Sequence, residues 1–151
     1  MINFLKLIFF PLLILIISIY FTNAVYAVSF DPTFGTNGII QKDFGGKAFD
    51  HSDFLSSVLF QSDGKIVVGG GSATNTSSFN WTLARYKPDG SLDTSFGIGG
   101  IVVTTIRNGF IIEYINDLIL QPDNKIVAVG VSHVGDTDVA LARYNLERYS
   151  G

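Results

Sequence analysis

Phe60–Gly70 reads FQSDGKIVVGG, and a closely matching stretch, LQPDNKIVAVG, follows at Leu120–Gly130. Each copy places apolar residues on both sides of a short polar segment, which predicts two strands joined by a tight turn. Asp63-Gly64 and Asp123-Asn124 are pairs that tolerate positive φ, as a two-residue hairpin turn requires. A recurrence of this length indicates a repeat protein.

Two further segments recur together with the hairpin. Phe30–Ile40 (FDPTFGTNGII) matches Leu92–Val102 (LDTSFGIGGIV), and Trp81–Tyr86 (WTLARY) matches Val139–Tyr144 (VALARY). The number of residues that separates the two copies of a segment differs between the segments. It is largest for the segment that starts at Phe30 and smallest for the segment that starts at Trp81. The loops therefore differ in length between the copies, while the strands keep their motifs.

One complete repeat predicts four strands, at Phe54–Phe60, Lys65–Gly70, Phe79–Tyr86 and Gly100–Ile106. Gly38–Phe44 is predicted to be the last strand of a preceding unit. Several strands carry consecutive apolar residues, so both faces of the sheet are expected to be partly buried. Four short strands in each repeat of about 60 residues predict an all-β fold of β-propeller-type blades stacked face to face, an incomplete propeller as a single chain. The part after residue 27 shows no convincing helical period.

These combined motifs resemble the delta-60 repeat family of bacterial β-propeller-like proteins. The shared pattern joins Leu/Phe-Asp-x-x-Phe-Gly, Gln-x-Asp-Gly-Lys-Ile-Val-Val and Leu-Ala-Arg-Tyr-x-x-Asp-Gly-Ser-Leu-Asp, and it covers nearly all of residues 28–145. The resemblance implies a secreted or surface-associated bacterial protein and supplies no catalytic residues. The chain departs from the pattern after Tyr144, where it reads NLERYSG instead of continuing into a further blade.

The number of repeats raises the question of how the blades are covered. Propellers usually have about 4–8 blades, whereas two repeats are found here. The chain opens with the last strand of one blade and stops after the third strand of another, so one end supplies what the other lacks. A head-to-tail homo-oligomer would complete the ring. Truncation of a longer repeat protein would leave the same incomplete blades at the two ends, and the sequence leaves both interpretations open.

The N-terminal region has the pattern of a cleaved signal peptide. Lys6 precedes an apolar run at Leu7–Phe21, and Val25-Tyr26-Ala27 fits the small-x-small cleavage rule. We expect a signal peptide at 1–27, a two-repeat domain at 28–151, and a secreted, periplasmic or cell-surface location. An uncleaved membrane anchor is the alternative, but the apolar run is shorter than the roughly 20 residues that span a bilayer and contains Pro11.

Composition excludes several classes of site. The formal net charge is −3, and only 15% of the residues are charged. A nucleic-acid partner is not expected, because phosphate binding needs clustered lysines and arginines. The chain has no cysteine, which excludes disulfides, thiolate metal sites and a cysteine nucleophile.

Five aspartates raise the question of calcium: Asp63, Asp89, Asp93, Asp123 and Asp136. No stretch has the alternating oxygen ligands and closing glutamate of an EF-hand loop. Turns account for most of these aspartates, and Gly135–Asp138 is the nearest approach to a cation loop. His51 and His133 lie outside the repeated motifs and are predicted to be solvated loop residues rather than metal ligands or a general base.

Arg85 and Arg143 occupy equivalent positions in the two repeats. They are interpreted either as cations around a ligand channel or as structural arginines that pair with Asp31, Asp93 or strand-end carbonyls. Their repetition with the strands favours the structural role, because binding residues are found more often in variable loops.

Two other features concern packing. Trp81 stands where the second copy has Val139 and is expected to cap a blade face, and the glycines from Gly69 predict a strand end with close backbone approach.

The leading functional prediction is an exported, non-enzymatic structural or interaction module, without catalytic, cofactor-binding or metal-binding residues and without a cofactor. An unknown protein or glycan partner would bind through the segments that vary between copies: Gly45–Asp53, Gly70–Ser78, Asn108–Tyr114 and Ser132–Asp138.

Two alternatives remain at this point. A carbohydrate-active or other hydrolytic propeller, assembled as an oligomer, would need acidic residues that converge on a channel mouth. The candidates are Asp43, Asp50, Asp53 and Glu113. The other alternative is a non-functional remnant of a longer repeat protein.

Overall fold

A computed structural model describes residues 27–44, 52–75, 78–107 and 112–146. The elements in these ranges are seven strands: β1 (Asp53–Phe60), β2 (Ile66–Asn75), β3 (Ser78–Tyr86), β4 (Ile101–Thr104), β5 (Ile112–Leu120), β6 (Ile126–Val134) and β7 (Asp136–Tyr144). The all-β prediction is confirmed. The predicted signal peptide falls on residues outside these ranges except for its last residue, and no helix in the described ranges is long and apolar enough to span a membrane.

The strands follow one another as antiparallel neighbours within two repeated units. β1, β2, β3 and β4 form blade 1, and β5, β6 and β7 form blade 2. A single parallel pair, Phe79 with Ile112, joins β3 to β5 and links the two units. The register repeats as well, because Ile66 lies opposite Tyr86 just as Ile126 lies opposite Tyr144. The sequence repeat is therefore a structural repeat at the level of individual residue pairs.

The hairpin turns are longer than the predicted two-residue type. The Gln61 amide donates to the Lys65 carbonyl at 2.8 Å, and the Gly64 amide donates to the Gln61 carbonyl at 2.9 Å. Only the last loop residue is left-handed, with φ of 79° at Gly64 and 62° at the equivalent Asn124. This is a three-residue hairpin, in which a type I turn is followed by one left-handed residue. One position in each turn therefore requires glycine or asparagine, not two.

The predicted strand at Gly38–Phe44 is not formed. The described backbone there makes an isolated bridge between Thr36 and Ile39 and no ladder. The reason lies in the pairing of β4, which runs antiparallel to β3 of its own blade. Residues 38–44 are the repeat equivalent of β4 and would need a strand equivalent to β3 beside them. No described strand lies in that place.

The core lies between the two blades. Its buried members come from both units: Leu59, Val67, Trp81, Leu83, Phe96, Ile115, Leu118, Ile126 and Ala128. Trp81 is fully buried, and its indole Nε1 donates to the Val131 carbonyl at 3.1 Å. Trp81 was expected to cap a blade face, and its ring lies between the blades, where it covers the facing side of blade 2 at Gly130 and Val131.

Glycines make this close packing possible. An added Cβ at Gly130 would lie 2.1 Å from the Tyr114 carbonyl oxygen and 2.9 Å from the Trp81 ring. The equivalent Gly70 would place its Cβ 1.9 Å from the Phe54 carbonyl oxygen. Both glycines lie beside irregularities of register in the neighbouring strand, at Leu55/Ser57 and Ile115/Asp117. The predicted close approach is confirmed, although these glycines lie within strands and not at a strand end.

Trp81→Ala tests the packing between the blades. We expect the free energy of unfolding in urea to fall by about 3–5 kcal/mol, because the substitution leaves a large cavity in a closed core. The matched control is Val139→Ala at the equivalent position of blade 2, where the side chain is 73% exposed. In dilute protein the control should change stability by less than about 0.5 kcal/mol. Equal losses for the two variants would contradict the burial of Trp81 between the blades.

Candidate functional site

The blade pair has two edges of different character. The hairpin turns at 61–65 and 121–125 and the turn at 87–91 lie at one end of the strands, which we call the turn edge. The last residues of β2, β4 and β6 and the first residues of β1, β3, β5 and β7 lie at the opposite end, which we call the loop edge. The topology therefore brings the described parts of all four predicted binding segments to the loop edge.

Two of those segments are shorter as loops than predicted. β2 continues to Asn75 and β3 begins at Ser78, so that most of Gly70–Ser78 is strand. In the same way, β6 and β7 leave only Gly135 between them. The error has a physical cause: backbone ladders continue through polar positions such as Ser132 opposite Asp138, where no apolar pattern signals a strand. Residues 45–51 and 108–111 of the other two segments lie outside the described residues.

Glu113 is a buried carboxylate at the loop edge. It is 0% exposed. Its Oε2 accepts a hydrogen bond from the Ile106 amide at 2.8 Å, and its Oε1 accepts from the Arg107 amide at 2.9 Å and the Ser132 hydroxyl at 2.7 Å. Hydrogen bonds of this kind stabilise a buried charge. Glu113 therefore fastens the chain that leaves β4 onto blade 2.

Asp53 has the matching role in blade 1. It occupies the position in β1 that corresponds to Glu113 in β5, and its Oδ2 accepts a hydrogen bond from the Phe44 amide at 2.8 Å. Phe44 is in turn the repeat equivalent of Ile106. Each acid thus ties a segment of the preceding unit to the first strand of the next. Two of the four candidates for acid catalysis thus have the same structural role in successive blades, each bound to a different segment.

The exposed part of the loop edge carries paired polar groups. The Arg107 guanidinium forms an ion pair with the Asp138 carboxylate, and both side chains are about half exposed. The His133 imidazole Nδ1 lies 2.7 Å from the Thr137 hydroxyl, also on the surface. His133 is exposed, as predicted, but it lies within β6 opposite Thr137 and not in a loop. His51 and Asp50 lie outside the described residues, and Asp43 is an exposed polar residue with an interaction of its own.

The turn edge contains a polar groove of about 460 Å³. Residues of both hairpin turns line it, together with Arg85, Asn145 and Leu146. Lys65 and Lys125 each bind the aspartate of their own turn, Asp63 or Asp123, with Nζ–Oδ2 distances of 2.5 Å. These lysine hydrogen bonds are the largest cause of the lowered pKa of both aspartates. The groove therefore presents locally neutralised ion pairs at its surface.

Arg85 is held by a carboxylate, a hydroxyl and an aromatic ring. Its Nε donates to Asp93 Oδ2 at 2.9 Å, its Nη2 donates to the Ser95 hydroxyl at 3.2 Å, and its guanidinium carbon lies 4.6 Å from the centre of the Phe96 ring. Arg85 is 8% exposed and Asp93 is 4% exposed. The predicted pairing of Arg85 with Asp93 is confirmed. Arg85 therefore reaches the wall of the groove only as the buried partner of Asp93, Ser95 and Phe96, which favours its structural role.

The pKa of Asp93 reflects this setting. Burial raises the pKa of the carboxyl, but the hydrogen bonds from Ser95 and the charge of Arg85 outweigh burial, so that the pKa is lowered from its ordinary value. Asp93 Oδ1 also accepts from the Ser95 amide at 3.2 Å and from the Ser95 hydroxyl at 2.7 Å. The group is therefore a structural anion at neutral pH.

The other candidate aspartates stabilise turns. The oxygens of Asp63, Asp89 and Asp123 accept hydrogen bonds from the amide two residues later, the geometry that the turn interpretation predicted. Asp136 begins β7 and is exposed. Within the described ranges, no three histidine, aspartate or glutamate side chains are grouped closely enough to hold a metal ion.

Blade 2 has an uncovered apolar face. Ile119 is 58% exposed and Leu141 is 70% exposed, while the equivalent residues of blade 1, Leu59 and Leu83, are 8% and 1% exposed. Arg143, the equivalent of Arg85, is also exposed, and its side chain makes no hydrogen bond or ion pair with the described residues. Sequence reasoning identified the equivalence of the two arginines but not this difference, because the difference depends on what lies beside each blade.

Comparison with known proteins supports the reading of the strands as blades. A family model described as a "Domain of unknown function (DUF5122) beta-propeller" matches residues 61–96 and 121–147. These segments are corresponding parts of blade 1 and blade 2, so both repeats are similar to a β-propeller-like repeat family. No curated protein and no solved structure matches the chain. The fold is thus all-β, with propeller-type blades that form an incomplete propeller in one chain.

Asp93→Asn tests the buried ion pair. At pH 7 we expect the free energy of unfolding to fall by about 3 kcal/mol, because Arg85 would remain buried without its counter-charge. The pKa of Asp93 is lower in the folded chain than its unfolded value of about 3.9, so its contribution is complete above about pH 4 and is lost as the pH falls through the folded pKa. Urea titrations from pH 7 to pH 2 should therefore show wild type and variant converging at the acid end.

The matched control for this variant is Asp89→Asn, which changes an exposed turn carboxylate. Its urea midpoint at pH 7 should stay close to that of the wild type, because surface substitutions of this kind have small effects. A stability difference between wild type and Asp93→Asn that stays constant from pH 7 to pH 2 would contradict the assigned role of the carboxylate.

Proposed function

We propose that this protein is an exported, non-enzymatic interaction module built from delta-60-like propeller blades. The observation that carries the proposal is the use of Asp53 and Glu113. These acids, which a hydrolytic site would need, accept hydrogen bonds from backbone amides at equivalent points of the two blades. Two of the four acids that a hydrolytic site could have used therefore support the scaffold, which favours recognition through the variable segments.

The loop edge is the proposed contact surface for a protein or glycan partner. The strands beneath it are fixed by continuous ladders, while its segments differ between the two copies in length and in residue type. A rigid scaffold that presents variable loops is a common arrangement for binding. Arg107 and Asp138 lie on this surface, are about half exposed, and could exchange their mutual ion pair for hydrogen bonds to a ligand.

Export is the second part of the proposal. It rests on the apolar run at Leu7–Phe21 and the small residues that end at Ala27. A cysteine-free composition agrees with a domain that folds outside the cytoplasm without disulfide formation.

Binding through the loop edge is tested with the purified chain on an array of bacterial surface polysaccharides. The double variant Arg107→Ala/Asp138→Ala should weaken any binding about tenfold or more, because charged hydrogen bonds to the ligand would be lost. Lys87→Ala, an exposed change at the turn edge, is the control and should bind like wild type. Loss of binding in the control alone, or release of reducing sugars by the wild type, would contradict the proposal.

Export is tested by expressing the full chain in a bacterium and sequencing the N-terminus of the product. We expect the protein outside the cytoplasmic membrane, with Val28 as its first residue. A product that retains Met1 and sediments with the membrane would instead indicate the anchor. Replacing Ala27 with a bulky residue should block cleavage without changing the domain that follows.

A further inference from the structure

We propose that a second copy of this chain packs against the uncovered face of blade 2. In this arrangement the N-terminal segment of the second copy, Phe30–Phe44, supplies the fourth strand and the carboxylate that blade 2 lacks among the described residues. The inference concerns assembly and does not depend on the proposed binding function. It rests on the interface that the chain already makes between its own two blades.

The internal interface shows what each face can pack against. Blade 1 turns Leu59, Trp81 and Leu83 toward blade 2, and these side chains are 8%, 0% and 1% exposed. Their equivalents in blade 2, Ile119, Val139 and Leu141, are 58%, 73% and 70% exposed. An apolar stripe of this kind costs free energy in water unless another surface covers it. The residue types at these positions match a face that the same fold buries.

The N-terminal segment is already folded like the unit that caps blade 1. The Phe34 amide donates to the Asp31 carbonyl at 3.1 Å, as Phe96 does to Asp93 at 3.0 Å. The amide of Gly38, like that of Gly100, donates to the carbonyl four residues earlier at 2.8 Å. The left-handed residues also correspond, with φ of 59° at Gly35 and 53° at Gly97. The N-terminal turn therefore has this conformation although no described strand equivalent to β3 lies beside it.

The segment also lies in the corresponding place. In the internal interface, Phe96 and Val102 belong to the same packed cluster as Ile126, Ala128 and Tyr144. The equivalent residues at the free side of blade 1 line a cavity of about 230 Å³, which Phe34 and Ile40 share with Ile66, Val68 and Tyr86. Residues 34–44 thus cover part of blade 1 as the last strand of a preceding blade would. A neighbouring copy would place its blade 2 beside them.

Charge complementarity supports the same arrangement. Asp31 Oδ1 accepts from the Thr33 amide at 2.9 Å and the Thr33 hydroxyl at 2.7 Å, the contacts that Asp93 makes with Ser95. Asp31 Oδ2, the counterpart of the oxygen that binds Arg85, has no partner among the described residues. Arg143 is the exposed counterpart of Arg85. Packing two copies would bring Arg143 of one chain to Asp31 of the next.

The repeat also fixes the register of the contact. Within blade 1, Thr82 of β3 lies opposite Val103 of β4. Their equivalents are Ala140 of β7 and Gln41 of the N-terminal segment. These two residues should therefore face each other across the boundary between copies. Opposed residues on neighbouring antiparallel strands have Cα separations of about 4.5–5.5 Å, a distance that a disulfide can bridge.

The natural absence of cysteine makes cross-linking a direct test. We expect Gln41→Cys/Ala140→Cys to form covalent oligomers on oxidation with copper phenanthroline, with the disulfide between residues 41 and 140 of different chains by mass spectrometry. Gln41→Cys/Asp136→Cys, four positions out of register, is the control and should give little product. Equal cross-linking of the two pairs, or a protein that stays monomeric, would overturn the proposed register and contact.

Charge exchange provides an independent readout. Light scattering of the wild type should give a discrete oligomer, and Arg143→Glu should raise its dissociation constant about tenfold or more. Adding Asp31→Arg to that variant should restore association, while Lys87→Glu, an exposed change at the turn edge, should leave it unchanged. A wild type that remains a monomer at millimolar concentration would overturn the proposal and assign the face to a further blade or a different partner. Circular dichroism of each variant distinguishes lost association from lost folding.

Discussion

A blade with two apolar faces has to be covered on both sides, and this constraint governs the molecule. The inner face of blade 1 and the facing side of blade 2 satisfy it together through Trp81, Leu83, Ile115 and Ile126. The remaining features of the structure serve that contact. Gly130 allows the tryptophan ring to approach the backbone, and the buried pair Arg85–Asp93 fixes the turn that carries Phe96 into the core.

The polar groups follow the repeat as closely as the apolar ones. Asp53 and Glu113 each hold a connecting segment against the next blade, and Asp93 holds the arginine of its own blade. Buried charges persist where hydrogen bonds replace the lost water, which explains why these acids are found in the scaffold. At these repeated positions the carboxylates therefore have a structural role.

Sequence alone predicted the strands of blade 1 and the equivalence of the two repeats, because apolar periodicity and turn residues are local signals. It did not predict that β2 continues from Gly70 to Asn75, where polar residues keep the ladder with β3. Nor did it predict the three-residue turn, since an Asp-Gly pair is compatible with more than one hairpin. The matching roles of Asp53 and Glu113 were detectable from their spacing, which equals that of the two hairpins. The difference between Arg85 and Arg143 was not, because it arises from neighbours in space.

The simple order of the strands has a consequence for how the chain reaches its folded state. Each ladder in the described residues joins strands that are adjacent in sequence or, at Phe79 and Ile112, separated only by β4. Contacts of this local kind require little loop closure, and proteins rich in them fold faster than sheets built from distant segments. Each hairpin can form soon after its own residues are free. Such a chain is suited to folding progressively from one end, as it emerges from a ribosome.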